Sequence, residues 1–345
     1  MAKKYAVRKT FTFEGKRYYV TGNTETEVEV KKALKLKELQ EGRYTVHKDM
    51  TFKRWATICM ETYKRPIVAE KTYKNYMELL DRCVIRVIGH LPVSKIKPID
   101  CQMVVNAQAG KSTYQINMTM RLMKFVFKKA VGEKLILESP ADDLARPKGT
   151  KTKRRALTPF ERETFLAVTE NTNRFDAFLL MYYCGCRPGE AIKVKRSDID
   201  LIDGIPMLHI RGTKTEYADR FVPMPLVLYE RFKDLPQNEY VAPNGVGEPM
   251  TEQAYKRCWG TLWREMNLAM GCKTFRNELV PPYPLADDFV PYCLRHTYCT
   301  DLQKKGVDIR TAQRLMGHAD IRMTANVYTH VDTDSILEAA KLLID

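Results

Sequence analysis

The side chains with chemical potential in this 345-residue chain gather in its second half. They are Arg187 in CGCRPGEAIKV, Lys214 in RGTKTEY, Arg295 in PYCLRHTY, and His318 and Tyr328 in LMGHADIRMTANVYTH. Arginine grips phosphate oxygens through paired N–H groups and stays charged at any working pH. Lysine and histidine donate protons or hydrogen bonds to an oxygen that gains charge. An ordinary tyrosine, with a pKa of about 10, attacks slowly unless positive neighbours or a base assist it. Such a set suits phosphoryl chemistry without a metal. No GxxxxGK[ST] loop, HExxH pair or GxSxG elbow occurs, and the adjacent acids Asp287 and Asp288 stand as a lone pair. No cofactor is expected.

These side chains need elements to hold them. Arg187 follows a helix and has Glu190 at i+3, placed to orient a neighbouring basic group. The stretch MLHIRGTKTEYADRFVPM reads as two strands around a polar turn that carries Lys214. Lys193 and Lys195, near the first arginine, compete with it for the same role. Arg295 and His296 open a further helix, with Gly306 and Gly317 at helix C-termini. His296 and His330 read as structural or surface residues. Thr158, Pro159 and Glu161 form a capping box that starts this segment cleanly.

Upstream, the reading is multidomain and mainly α, with small β elements. Residues 1–46 read as a β-hairpin followed by a Glu/Lys-rich helix that begins at Thr24 and Glu27. Residues 47–147 read as a helical bundle. Phe52, Trp55, Ala56, Cys59 and Tyr63 make one apolar stripe, and Tyr73, Tyr76, Met77 and Leu80 a second. Ile116, Met120, Met123 and Phe127 make a third, on a helix that leaves Arg121, Lys124 and Lys128 available outside as candidate contacts for an anionic partner. Residues 148–157 read as a basic linker whose Lys151, Lys153, Arg154 and Arg155 are candidate phosphate contacts. Residues 158–345 complete the chain with the chemical segment and a tail helix, on which Ile336, Leu337, Ala340, Leu343 and Ile344 share a face.

Composition narrows the partner. The formal net charge is +15, with 44% hydrophobic and 29% charged residues, which points to a globular protein that meets a polyanion. No apolar run is long enough to span a bilayer, and the N-terminus has no apolar h-region. Nine scattered cysteines, with no CxxC, read as packed reduced thiols rather than a zinc site. The cytoplasm is the expected compartment.

Arg187 in CRPGE, Lys214 in the hairpin, Arg295 in LRHT, then LMGH and VYTH resemble the tyrosine recombinase (phage integrase) family in order and spacing. The likeness runs from about residue 155 to the end. The helical bundle is similar to that family's core-binding (SAM-like) domain. The N-terminal module resembles the arm-type DNA-binding domain of integrases of phages and conjugative transposons. The resemblance implies a site-specific recombinase that cleaves and rejoins duplex DNA without ATP. Tyr328 would form a 3′-phosphotyrosyl bond, Arg187 and Arg295 would hold the non-bridging oxygens, and Lys214 would protonate the departing 5′-oxygen. His318 would assist and Glu190 would support the site. Tyr292 departs from the pattern: the family usually has histidine three residues before the second arginine. A phenol there donates a hydrogen bond but shuttles protons poorly near neutral pH. The resemblance also implies a homotetramer on DNA attachment sites, with an excisionase and a host DNA-bending protein as further partners. The competing readings are a type IB-like topoisomerase, and a non-catalytic DNA-binding regulator in which residues 294–318 form a helix-turn-helix.

Overall fold

Helices and small antiparallel sheets make up the computed structural model, which describes residues 7–13, 15–40, 50–150, 155–212 and 216–328. The chain divides into two compact units, Met1–Thr152 and Lys153–Asp345. Among the described residues no helix is long and apolar enough to cross a membrane.

In the first unit, β1 (Val7–Phe13) pairs antiparallel with β2 (Lys16–Gly22), Val7 opposite Gly22. α1 (Glu25–Gln40) follows. Its entry is fixed by the Glu27 N–H donating to Thr24 Oγ1 and by Glu27 Oε2 accepting from the Asn23 N–H. One face of the hairpin meets α1, through the Lys9–Glu29 ion pair at 2.7 Å and the buried Val20 and Val28. The alternate residues Arg8, Thr10, Thr12, Arg17 and Tyr19 are exposed on the other face, and the Arg8 guanidinium lies 4.4 Å over the Tyr19 ring.

The bundle comprises α2 (Phe52–Tyr63), α3 (Glu70–Leu80), α4 (Arg86–Ile88), α5 (Pro98–Asn106) and α6 (Thr113–Gly132). A π-turn at Asp81–Ile85 carries α3 into α4. Thr51 and Ser112 cap α2 and α6. The buried stripes are those expected: Phe52 meets Phe127 at 5.1 Å between ring centroids, and the Trp55 indole N–H donates to the Val126 carbonyl at 3.0 Å. Tyr63, Tyr76, Met77 and Met120 pack partly buried at the edge of this core. Arg121 and Lys128 are exposed, whereas the Lys124 ammonium donates to the Asp142 carbonyl at 2.8 Å.

The expected linker is shorter than its charge pattern indicated. Thr150 already pairs with the start of α6, accepting from the Thr113 N–H. Arg155 is held by two carboxylates, Glu161 and Asp288, and Leu157 is buried with its N–H on Thr297 Oγ1 at 2.9 Å. Arg155 is therefore a structural ion-pair residue and not a cation left over for phosphate. Lys151, Lys153 and Arg154 lie outside the described residues.

The second unit begins with α7 (Pro159–Glu170) behind the Thr158–Glu161 capping box. α8 (Asp176–Cys184) is buried along almost its whole length and runs to α9 (Pro188–Ala191). β3 (Ile199–Ile202), β4 (Ile205–Ile210) and β5 (Arg220–Pro223) form an antiparallel sheet in that order. The chain continues through α10 (Leu226–Phe232), α11 (Glu252–Ala269) and the short pair β6 (Thr274–Phe275) and β7 (Glu278–Leu279). α12 (Pro291–Lys304), α13 (Ile309–Met316) and α14 (Arg322–Tyr328) end the described chain. Phe165, Phe178, Leu208, Val222, Leu262 and Leu294 belong to one core that joins α7, α8, the sheet, α11 and α12. All nine cysteines are buried free thiols.

Candidate active site

The site is organised by the end of α13. A helix leaves its last carbonyls without intrahelical partners and gathers partial negative charge there. Three successive carbonyls use that property. Leu315 accepts from Arg220 Nε at 2.8 Å, Met316 accepts from Arg295 Nη2, and Gly317 accepts from Arg187 Nη2 at 2.5 Å. Three arginines from separate elements thus converge on one helix terminus. Gly317 is required at that point, because its backbone is left-handed (φ 62°) and a Cβ would meet the Tyr217 carbonyl at 2.8 Å.

Arg187 caps α9, and Glu190 in the same turn accepts both from its backbone N–H at 2.8 Å and from Nη1 at 2.7 Å. The i+3 relation read from the sequence is thus a bidentate hold on the arginine. Glu190 also receives Nη1 and Nη2 of Arg220 at 3.3 and 3.0 Å. Burial pushes the Glu190 carboxyl up, but the hydrogen bonds and charge of Arg220, together with those of Arg187, hold it down at about 2.

Arg295 is 4% exposed, and its other terminal nitrogen donates to the Gly185 carbonyl at the end of α8. Burial, then the charges of Arg187 and Arg220, lower its pKa to about 10. Among the described residues one carboxylate, Glu190, is hydrogen-bonded to this trio. Two positive charges are left uncompensated in a largely buried setting, where an isolated charge is costly. That excess of positive charge suits the site to an anionic group.

His318 follows Gly317 directly and is 7% exposed, with Nδ1 3.0 Å from the Oγ1 of the buried Thr324. Burial, then Arg295, Arg187 and Arg220, lower its pKa to about 4, so it is a neutral imidazole at neutral pH. The structure therefore brings together Arg187, Arg295, His318 and Glu190, as expected. It adds Arg220, which the sequence reading missed. The only signal for it was a basic residue one step into the strand after the Lys214 turn.

One expected member, Tyr328, stands elsewhere. The Tyr328 hydroxyl donates to the Val307 carbonyl at 3.1 Å, and the Tyr328 carbonyl accepts from Gln303 Nε2. Tyr328 packs, partly buried, against the cluster that includes Cys299, Leu302 and Val327. Burial, then Cys299 and Asp308, push its phenol up to about 12. The arginine field does not activate it in this conformation. Tyr292, in the first turn of α12, is 39% exposed and three residues before Arg295. Lys214 lies outside the described residues. Its rival Lys195 is engaged elsewhere, with its ammonium 4.9 Å over the Tyr240 ring.

The chain is similar to known proteins along most of its length. The phage integrase family model matches residues 155–335, and the family's N-terminal SAM-like domain model matches residues 51–108. The tyrosine recombinase XerC-like protein of Caldanaerobacter subterraneus is 26% identical over 94% of this chain and 90% of that protein. The transposase from transposon Tn916 of Enterococcus faecalis is 23% identical over 89% of this chain and 80% of its own length. The structure of the Tn1549 transposon integrase in complex with transposon right end DNA superposes with a TM-score of 0.65 at 22% identity, covering 86% of this chain and 100% of that one.

Proposed function

Because the chain belongs to the phage integrase family, we propose that this tyrosine recombinase integrates and excises a mobile element through a 3′-phosphotyrosyl intermediate. The observation that carries the reading is the convergence of Arg187 and Arg295 on the end of α13, beside His318, with excess positive charge and one carboxylate. Preorganised donors aimed at a phosphoryl group act where charge develops, which is the main source of catalysis for such a transfer. Arg187 and Arg295 hold the non-bridging oxygens. Lys214 protonates the departing 5′-oxygen, and neutral His318 hydrogen-bonds the phosphate. Tyr292 contributes a phenolic donor where a histidine is usual, and Glu190 keeps Arg187 in place.

Tyr328 attacks phosphorus, forms the new P–O bond as the 5′-oxygen leaves, and stores the diester energy in the covalent link. That link makes rejoining independent of ATP. For this step Tyr328 must leave the Val307 carbonyl, so engagement of DNA and exposure of the nucleophile are coupled.

Duplex attachment DNA is the partner, met in the cytoplasm by three parts. The hairpin face of Arg8, Thr10, Thr12, Arg17 and Tyr19 has the width of a two-stranded ribbon, which a major groove admits, and reads arm sites. The bundle, within residues 47–147, presents Arg121 and Lys128 to the backbone. The segment from residue 158 onward cuts, within a homotetramer that an excisionase and a DNA-bending protein assist.

The test is covalent trapping on a nicked duplex that carries a sequence selected by the chain from a random library. Wild type is expected to become covalently attached, while Tyr328→Phe binds the same duplex and forms no adduct. Binding without trapping by wild type would overturn the reading. Relaxation of supercoils without strand exchange would convert it to a topoisomerase.

A further inference from the structure

We propose that Arg220 is a positioning residue for strand cleavage, tying the base of the Lys214 loop to the pair that grips phosphate. This rests on the functional reading above. The Arg220 side chain is fully buried (0% exposed), and all three of its guanidinium nitrogens are spent on protein acceptors. They are both oxygens of Glu190, the Leu315 carbonyl at 2.8 Å, and the Ala218 carbonyl at 3.0 Å. It does not grip a ligand; it acts through what it holds.

Three parts of the site meet at this one side chain. Through Glu190 it sets Arg187, which shares the same carboxylate. Through Leu315 it sets the end of α13, whose next two carbonyls hold Arg295 and Arg187 and whose next residue is His318. Through Ala218 it sets the stem of the loop. Ile210 pairs with Arg220 at the point where β4 and β5 diverge. Just beyond, a Cβ on Gly212 would lie 2.3 Å from that of Ala218, so the stems touch there. Arg220 thus links this stem, which flanks the turn expected to carry Lys214, to Glu190 and to the end of α13.

Lysine keeps the charge, but its donors sit on one nitrogen in place of the spread planar fork, so it cannot span Glu190, the Leu315 carbonyl and the Ala218 carbonyl together. The experiment uses the full chain and the nicked, library-selected duplex, with single-turnover trapping at saturating DNA, DNA affinity, and thermal melting as readouts. Arg220→Lys is expected to stay folded and bind within about threefold of wild type, yet trap about a hundredfold more slowly. Loss of stability alone would leave the rate of the folded, saturated enzyme unchanged. A folded Arg220→Lys that traps within about threefold of wild type overturns the proposal. If that variant does not fold, Gly212→Ala decides: it pushes on Ala218 without touching Arg220 and is expected to slow trapping about tenfold, and a wild-type rate overturns the proposal. Arg187→Ala is the control for the underlying reading. Normal trapping by that variant removes the functional assignment, and with it this role for Arg220.

Discussion

The phenolic hydroxyl of Tyr328 donates to the carbonyl of Val307, 21 residues earlier, at 3.1 Å. That bond ties the last described turn of α14 to the loop between α12 and α13. It also fixes the phenol where burial raises its pKa to about 12. Tyr328→Phe removes the donor and leaves the ring packed against its apolar cluster. Without DNA, the variant is expected to lose about 1 kcal/mol, or ~2–4 °C in melting temperature. With DNA it forms no adduct. A variant as stable as wild type would show that the hydroxyl is not held on Val307 in solution.

Glu190 makes the site acid-labile. Its folded pKa lies at about 2, below the ordinary 4.5. A depressed carboxyl stabilises the fold above its ordinary pKa, and that contribution drains away as pH falls from about 4.5 to about 2. The shift corresponds to about 3 kcal/mol, and the side chain is only 13% exposed, so solvent screens little of it. Glu190→Gln leaves Arg220 buried with no counter-charge, which agrees with the ~3–5 kcal/mol for breaking a buried pair. Urea unfolding is expected to show a large deficit for the variant at pH 7 that closes toward pH 2. A deficit independent of pH would contradict this.

How much was legible before the fold was known differs residue by residue. Arg187, Arg295 and His318 were expected together from the resemblance, whose motifs are distinctive in order, and they do meet around the end of α13; Tyr328 was expected with them and rests on Val307 instead. Glu190 was readable as an i+3 partner of Arg187. Arg220 was not, because its role depends on strand register and on α13 ending against β5, neither of which is a local property. Arg155 was misread for the opposite reason: its neighbours in sequence are basic, but its partners Glu161 and Asp288 arrive by folding. β3 and the β6–β7 pair are too short to carry a period. The resting place of Tyr328 is a tertiary fact that no motif encodes.

His318 is neutral across the working range, because burial and then the three arginines lower its pKa from 6.5 to about 4. A lowered histidine contributes stability above about pH 6.5 that is lost as pH falls toward 4. The contribution to cleavage expected of it is consequently a hydrogen bond and not a titrating proton. His318→Asn is expected to slow trapping by about 10²-fold by the same factor at every pH from 6 to 8. An inflection near pH 6.5 in the wild-type profile that vanishes in the variant would assign His318 a proton-transfer role instead.

Tyr298, unlike Tyr328 on Val307, lies beside the arginines, and it tests whether mere proximity selects the nucleophile. Burial comes first among the influences on its phenol and pushes it up; Arg220 and Arg295 pull the other way without overcoming it. Its hydroxyl is buried with no hydrogen-bond partner among the described residues. Its ring packs on Gly185, where a Cβ would lie 2.3 Å from Cδ1 and where φ is 62°. A buried hydroxyl without an acceptor costs about 1–3 kcal/mol, so Tyr298→Phe is expected to be neutral or stabilising and to trap DNA normally. Gly185→Ala, by contrast, combines a left-handed backbone cost of about 1–2 kcal/mol with overpacking of about 1–3 kcal/mol. It also moves the carbonyl that holds Arg295, so cleavage should fall together with stability. Loss of trapping in a stable Tyr298→Phe would show that this hydroxyl takes part in the reaction after all.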